Sequence, residues 1–164
     1  MGLFDFLKQK DTAENAIILG APAQGTAVAM AQIPDEVFSQ GIMGVCCGIE
    51  PAEGKVYAPA DGKISQLTDT LHAIGLEAEG LEILIHVGVD TVEMNGDGFA
   101  NVVKEGDMVK KGQLLLTMDL EKIRAADHPA TVIMAVTNSD DFKSVEPEGS
   151  GSMQPGEAIL KVIK

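Results

Sequence analysis

An all-β fold is predicted, an antiparallel β-sandwich or barrel-like core with few short helices. Three observations predict it. Short β-branched runs recur along the chain, each cut off by Gly, Pro, Asn or Asp. Stretches with helical periodicity are few and short. Hydrophobic residues make up 45% of the chain, yet aromatics make up only 4% and Trp is absent, so the core must be built from Val, Ile, Leu, Ala and Met. With 164 residues the chain is long enough for one domain with a substantial core. Residues 16–164 are read as that domain and residues 1–15 as a separate tail.

The elements follow in order. In the tail, Leu3, Phe4, Phe6 and Leu7 are apolar, and Lys8 and Lys10 follow. A short amphipathic helix there could make peripheral contact with a membrane or touch a partner. A frayed tail reads equally well, because isolated short helices are marginal. The opening residues lack the basic start and apolar core of a signal peptide. Phe6 stands where myristoylation wants Ser or Thr. AIILGAPAQGTAVAM is strand, turn, strand. Its extension to Ile33 is broken by Pro22, glycines and glutamines, so it is no membrane span. PDEVFSQGIM gives one or two helical turns. KVYAPADGKISQL is again strand, turn, strand. Ala21-Pro22-Ala23-Gln24-Gly25 and Ala58-Pro59-Ala60-Asp61-Gly62 share the pattern A-P-A-x-G, which points to an internal repeat. TLHAIGLEAEGLEILIHVG is a hairpin. Gly106 to Gly112 bound a turn, and QLLLTM is the strand after it. DLEKIRAAD is a short helix with Asp119 as N-cap. ATVIMAVTN and EAILKVI are strands, with Gly149 to Ser152 a flexible surface loop between them.

Charge and cysteines narrow the function classes. A net charge of −13 argues against nucleic acid, whose phosphates need a basic face. It favours a cytoplasmic protein that meets basic protein surfaces. Cys46 and Cys47 are sequence neighbours, and a bridge between neighbours is strained. Buried free thiols in a reducing compartment are expected.

The hairpin holds two of the three histidines. If Ala78-Glu79-Gly80 is a three-residue turn, Glu77 faces Leu81 and His72 stands opposite His86. Opposed side chains share a face, with Cβ atoms about 4.5–5.5 Å apart. A slip of one residue would separate them. Thr70, two residues before His72, lies on the same face and can orient its ring. Ile74, Leu84 and Val87 give the pair an apolar setting. Such a pair allows three readings. Zinc wants three or four protein ligands, and no third is evident. Neutral imidazole, with an ordinary value near 6.5, attacks phosphorus well, and a second imidazole can donate a hydrogen bond to the moving phosphoryl group. Two half-buried structural histidines would give the same spacing. His128, in Asp127-His128-Pro129, is read as structural or solvated.

TLHAIGLE, ILIHVGVDTV, NGDGF and VKEGDMVKKGQLLLTMDL resemble the glucose-type enzyme IIA component of the bacterial phosphoenolpyruvate-dependent sugar phosphotransferase system. PDEVFSQGIMG and APADG are similar to further segments of that family. The resemblance runs from about Ala16 to Ile163, and MGLFDFLK resembles the tail of free-standing members. It implies a duplicated hybrid motif of antiparallel strands. It implies that His86 accepts a phosphoryl group from the phosphocarrier HPr and passes it to a sugar-specific IIB domain. His72 would support it, positioned by Thr70. Asp90 and Asp140 match acidic rim positions that meet a basic partner, and Ile74, Leu84 and Val45 join them in the expected partner surface. No cofactor and no metal is implied. The family also implies enzymes or transporters regulated by the phosphorylation state.

The chain departs from the family at three places. Gly44-Val45-Cys46 stands where members show Gly-Asp-Gly, so an acidic contact is missing at Val45. Glu50 stands where a lysine is common. ATVIMAVTN lacks the usual Thr-Pro. Two other carriers or enzymes share parts of the rhythm. A biotinyl or lipoyl carrier would need a modifiable lysine in a tight turn, which is not evident. A zinc peptidase of related fold would need His-x-His with further ligands.

Overall fold

A computed structural model describes residues 15–164. The expected tail therefore lies outside the described residues, apart from Asn15. Fourteen strands are present among the described residues: β1 (Ala16–Gly20), β2 (Gly25–Val28), β3 (Val45–Pro51), β4 (Lys55–Tyr57), β5 (Gly62–Leu67), β6 (Ala73–Ala78), β7 (Leu81–Val87), β8 (Phe99–Asn101), β9 (Met108–Val109), β10 (Leu114–Met118), β11 (Val132–Val136), β12 (Ser144–Pro147), β13 (Ser152–Met153) and β14 (Ala158–Ile163). Two short α-helices, Glu36–Ser39 and Leu120–Ala125, accompany them. The fold is thus an antiparallel β-sandwich with little helix, as expected. No helix among the described residues is long and apolar enough to cross a membrane.

The strands form one eight-stranded sheet, in the order β13-β2-β3-β11-β7-β6-β5-β9, and two three-stranded sheets, β1-β14-β12 and β4-β10-β8. That arrangement is a duplication. The two A-P-A-x-G segments exchange backbone bonds: Gly20 N–H donates to Pro59 O at 2.8 Å, and Tyr57 N–H donates to Pro22 O at 2.8 Å. Each segment also makes the same pair of bonds to a second glycine turn. Ala21 N–H donates to Glu157 O while Gly156 N–H donates to Ala21 O. Ala58 N–H donates to Gln113 O while Gly112 N–H donates to Ala58 O. The glycines that close the two segments are needed for the same reason. A Cβ at Gly25 would overlap the Glu50 carbonyl, and one at Gly62 the Glu77 carbonyl.

One aliphatic core fills the space between the sheets, with Leu19, Ile49, Ile64, Ile74, Leu76, Ile85, Leu115 and Leu116 among its buried members. A smaller cluster lies on another part of the fold. There Ile33, Phe38, Cys46, Ile133 and Ala135 are packed with Met30, Met43 and Leu84. Strand β7 divides between the two by strict alternation. Leu81, Ile83, Ile85 and Val87 belong to the main core, while Leu84 joins the smaller cluster and His86 stands beside it.

Two expectations need correction. VCCGIEP carries little β-signal in its Cys-Cys-Gly, so no strand is expected there from local preference, yet it forms β3 between β2 and β11. The segment Gly149 to Ser152 lies at the surface as expected, with only Gly149 partly buried, but it is not all loop. Its end enters β13, which pairs with β2 and buries Met153. The helix Leu120–Ala125 begins as expected, with the Asp119 carboxylate accepting from Lys122 N–H at 3.1 Å.

Candidate functional site

The hairpin register differs from the expected one by one residue. Ala78 pairs with Leu81, so the turn is the two-residue Glu79-Gly80. Both turn residues have positive φ, +50° and +84°, which suits a two-residue hairpin better than the three-residue loop. The residue opposite His86 is therefore Ala73, and His72 lies beyond the end of β6. Its carbonyl still accepts from Val87 N–H at 2.8 Å. By alternation its side chain would follow Val87 into the core. The chain is leaving the ladder at this point, however, and the ring lies against His86 instead. The two ring centroids are 4.8 Å apart in a T-shaped contact. The rings meet, but through the strand end rather than the ladder.

Each ring has one nitrogen engaged locally. His86 Nδ1 lies 2.8 Å from the Gly88 carbonyl oxygen, so Nδ1 carries the proton and donates. That leaves the Nε2 lone pair of His86 free. His72 Nδ1 lies 2.7 Å from Thr70 Oγ1. A Thr70 hydroxyl that donates there places the proton of His72 on Nε2. Gly88 makes the first contact feasible. Its φ is +80°, and a Cβ there would overlap Thr91 Cγ2 and sit 2.9 Å from Pro129 O. The Thr91 hydroxyl in turn donates to Val87 O.

Both imidazoles stay neutral near pH 7. Burial, followed by the neighbouring His86, lowers the His72 value to about 4. Burial also lowers His86, opposed by the bond to Gly88 O and by the charges of Asp35 and Asp90. Across the sheet, His86 stands in a row with Ala73 on β6 and Ile133 on β11. The Phe38 ring is 5.2 Å from it. The site is thus a neutral imidazole pair on an apolar floor with carboxylates beside it.

The expected partner residues separate into three groups. Asp90 is exposed, has φ +59°, and acts on His86 electrostatically. Leu84 is half-buried two residues from His86 on the same face. Val45 and Asp140 lie together at another place. Val45 pairs with Val136, three ladder positions from the Ile133–His86 pair, or about 10 Å along the strand. Val45 N–H donates to Ser139 Oγ, and exposed Asp140 follows Ser139 in a 3-10 turn. Ile74 is a correction. It is 0% exposed, pairs with Ile85 and faces the main core, because the one-residue register shift turns it inward. It cannot meet a partner. Glu50, at the lysine position, accepts from the Thr131 hydroxyl at 3.1 Å and lies 3.9 Å from Arg124.

Two site residues were not read from the sequence. Asp35 caps the helix Glu36–Ser39, accepting from Val37 N–H at 3.0 Å, and its charge reaches His86. Phe38, on that helix, supplies the floor. The Asp-x-x-x start of a short helix was the available signal for Asp35. Nothing local ties this helix to a histidine 48 positions later. Cys46 and Cys47 are free and buried, as expected, and Cys46 Sγ donates to Phe38 O at 3.2 Å. His128 is half-buried, with Nε2 3.8 Å from Glu93.

Comparison with known proteins gives a consistent result. The family model for the phosphoenolpyruvate-dependent sugar phosphotransferase system, EIIA 1, matches residues 17–142. A glucose-specific EIIA component of Staphylococcus epidermidis is 41% identical over 153 residues, 93% of this chain and 92% of that protein. A beta-glucoside-specific EIIBCA component of Dickeya chrysanthemi is 40% identical over 146 residues, 88% of this chain but 23% of that protein. The chain thus spans about a quarter of the multidomain relatives it matches. Among solved structures, the glucose permease IIA from Mycoplasma capricolum superposes with a TM-score of 0.80 at 30% identity, covering 89% of this chain and 95% of that one.

Proposed function

Because the chain belongs to the glucose-type EIIA family of the phosphoenolpyruvate-dependent sugar phosphotransferase system, we propose that it carries a phosphoryl group on His86, received from HPr and passed to a sugar-specific IIB domain in the cytoplasm. The observation that supports this most directly is the histidine pair. Nδ1 of His86 is tied to Gly88 O, which leaves Nε2 as the nucleophile. Nε2 attacks the phosphorus of phospho-HPr, and the P–N bond to the donor breaks as the new P–N bond forms. His72, held at Nδ1 by Thr70, donates its Nε2–H to a phosphoryl oxygen. Neutral rings suit both roles, since a protonated His86 has no lone pair to offer. No metal or nucleotide enters, because the donor delivers an activated phosphoryl group.

The surroundings suit a basic protein partner. Asp35 and Asp90 flank the pair, and Val37, Ile42 and Val92 are exposed large hydrophobics on nearby segments. Carboxylates on a rim steer and orient a complementary partner, while apolar contacts exclude water from a labile phosphohistidine. Fused relatives that carry B and C components beside the A component support a IIB acceptor.

Incubation with phosphoenolpyruvate, enzyme I and HPr tests the assignment. An acid-labile, base-stable phosphoprotein is expected from the wild type. His86→Gln loses the label. His72→Gln accepts phosphate but passes it on poorly. A label that survives His86→Gln overturns the site.

A further inference from the structure

Five described residues other than glycine have positive φ: Leu71, Glu79, Asp90, Asn95 and Asp127. Four are polar types common in turns. Leu71, at +64°, is the one apolar side chain among them, and it stands between Thr70 and His72. The left-handed region crowds the Cβ of any residue larger than glycine, and leucine has no polar group to relieve it locally. Strain of this kind persists only where the surroundings enforce it.

Two features enforce it here. The first is a clasp across the β5–β6 loop. Thr68 N–H donates to Ala73 O at 3.3 Å, Ala73 N–H donates to Thr68 Oγ1 at 3.2 Å, and Leu71 N–H donates to Thr68 O at 3.0 Å. The second is packing. Leu71 is half-buried against the main core, and its Cδ1 lies 3.5 Å from where a Cβ on Gly96 would stand. Gly96 belongs to the turn that follows the Asp90 segment, so the Leu71 side chain lies against that turn. The effect falls on the histidine. An extended residue 71 would keep the Cα atoms of Thr70 and His72 about 6.6 Å apart. The left-handed turn draws them together, in keeping with the 2.7 Å contact between Thr70 Oγ1 and His72 Nδ1.

We propose that Leu71 is a positioning residue for phosphoryl transfer: its left-handed backbone, clasped by Thr68 and packed on Gly96, sets the Thr70–His72 pair against His86. The inference rests on the phosphocarrier reading. The lowered value of His72, to about 4, agrees with a ring held in its buried place beside His86. Backbone conformation, rather than side-chain volume, is the property that matters.

The test compares three variants with the wild type. Leu71→Asn loses the side chain but favours the left-handed region. Leu71→Ile keeps the volume but disfavours that region. Thr68→Val removes the side-chain bond of the clasp, from Ala73 N–H to Thr68 Oγ1. Phosphorylation from phospho-HPr and onward transfer to a IIB domain are measured separately, with 15N NMR titration of His72. Leu71→Ile is expected to slow onward transfer about tenfold and move the His72 midpoint towards 6.5, with Thr68→Val shifted the same way. Leu71→Asn stays within about twofold of wild type. Equal behaviour of Leu71→Ile and Leu71→Asn overturns the proposal. Should Leu71→Ile fail to fold, an unchanged His72 midpoint in Thr68→Val overturns it. A wild type that takes no label at His86 refutes the phosphocarrier reading itself, a result separate from either.

Discussion

Acid should weaken this protein through His72 in particular. The folded value is about 4, whereas an unfolded chain binds the proton at about 6.5. Above pH 6.5 both states are neutral and no penalty exists. As pH falls the unfolded state protonates first, so stability drops through the window from 6.5 to 4 and levels off below it. The ratio of the two binding polynomials is about 30 at pH 5 and close to 1 at pH 7, which amounts to about 2 kcal/mol lost between them. Carboxylates and His86 titrate in the same experiment, so the contribution is isolated by difference. Urea unfolding of the wild type and His72→Gln, followed by far-UV circular dichroism because Trp is absent, gives both stabilities at pH 7, 6 and 5. The wild type's stability relative to the variant should decline by about 2 kcal/mol over that range. Parallel curves, within about 0.5 kcal/mol, would refute the claim that the folded state holds this ring neutral.

Two other substitutions or probes bear on the same face. Gly88→Ala forces a left-handed alanine and a clash with Thr91 and Pro129 O, so denaturant unfolding should show a loss of about 2–4 kcal/mol. Labelling from phospho-HPr should fall with it, as the shift displaces the residue-88 carbonyl that accepts from His86 Nδ1. Cys46 and Cys47 should resist a thiol reagent at pH 8 in the native protein and react fully in urea. Burial pushes the Cys46 thiol up to about 11 and Cys47 higher still, which leaves about one Cys46 thiolate in a thousand. Rapid native labelling would show that the β3 core opens.

Much of the architecture is written in local pattern. The hairpin, the A-P-A-x-G repeat, the Asp119 cap and most strands follow from alternation and turn residues. Strand β3 escaped because Cys-Cys-Gly is defined by its neighbours, β2 and β11, and not by its own preference. The site was legible as a pair of histidines near one hairpin and as a family likeness. Its details were not. A turn shorter by one residue changes every cross-strand partner, which turned Ile74 inward and put Ala73 opposite His86.

The sequence by itself determined an aliphatic β-sandwich, an internal duplication and two histidines within reach of one another, because period-two alternation and glycine turns act over a few residues. Only the tertiary structure decided that His72 reaches His86 from beyond the strand end and that Asp35 and Phe38 complete the face. Those choices depend on contacts between segments tens of residues apart, and such contacts form only when the whole core closes.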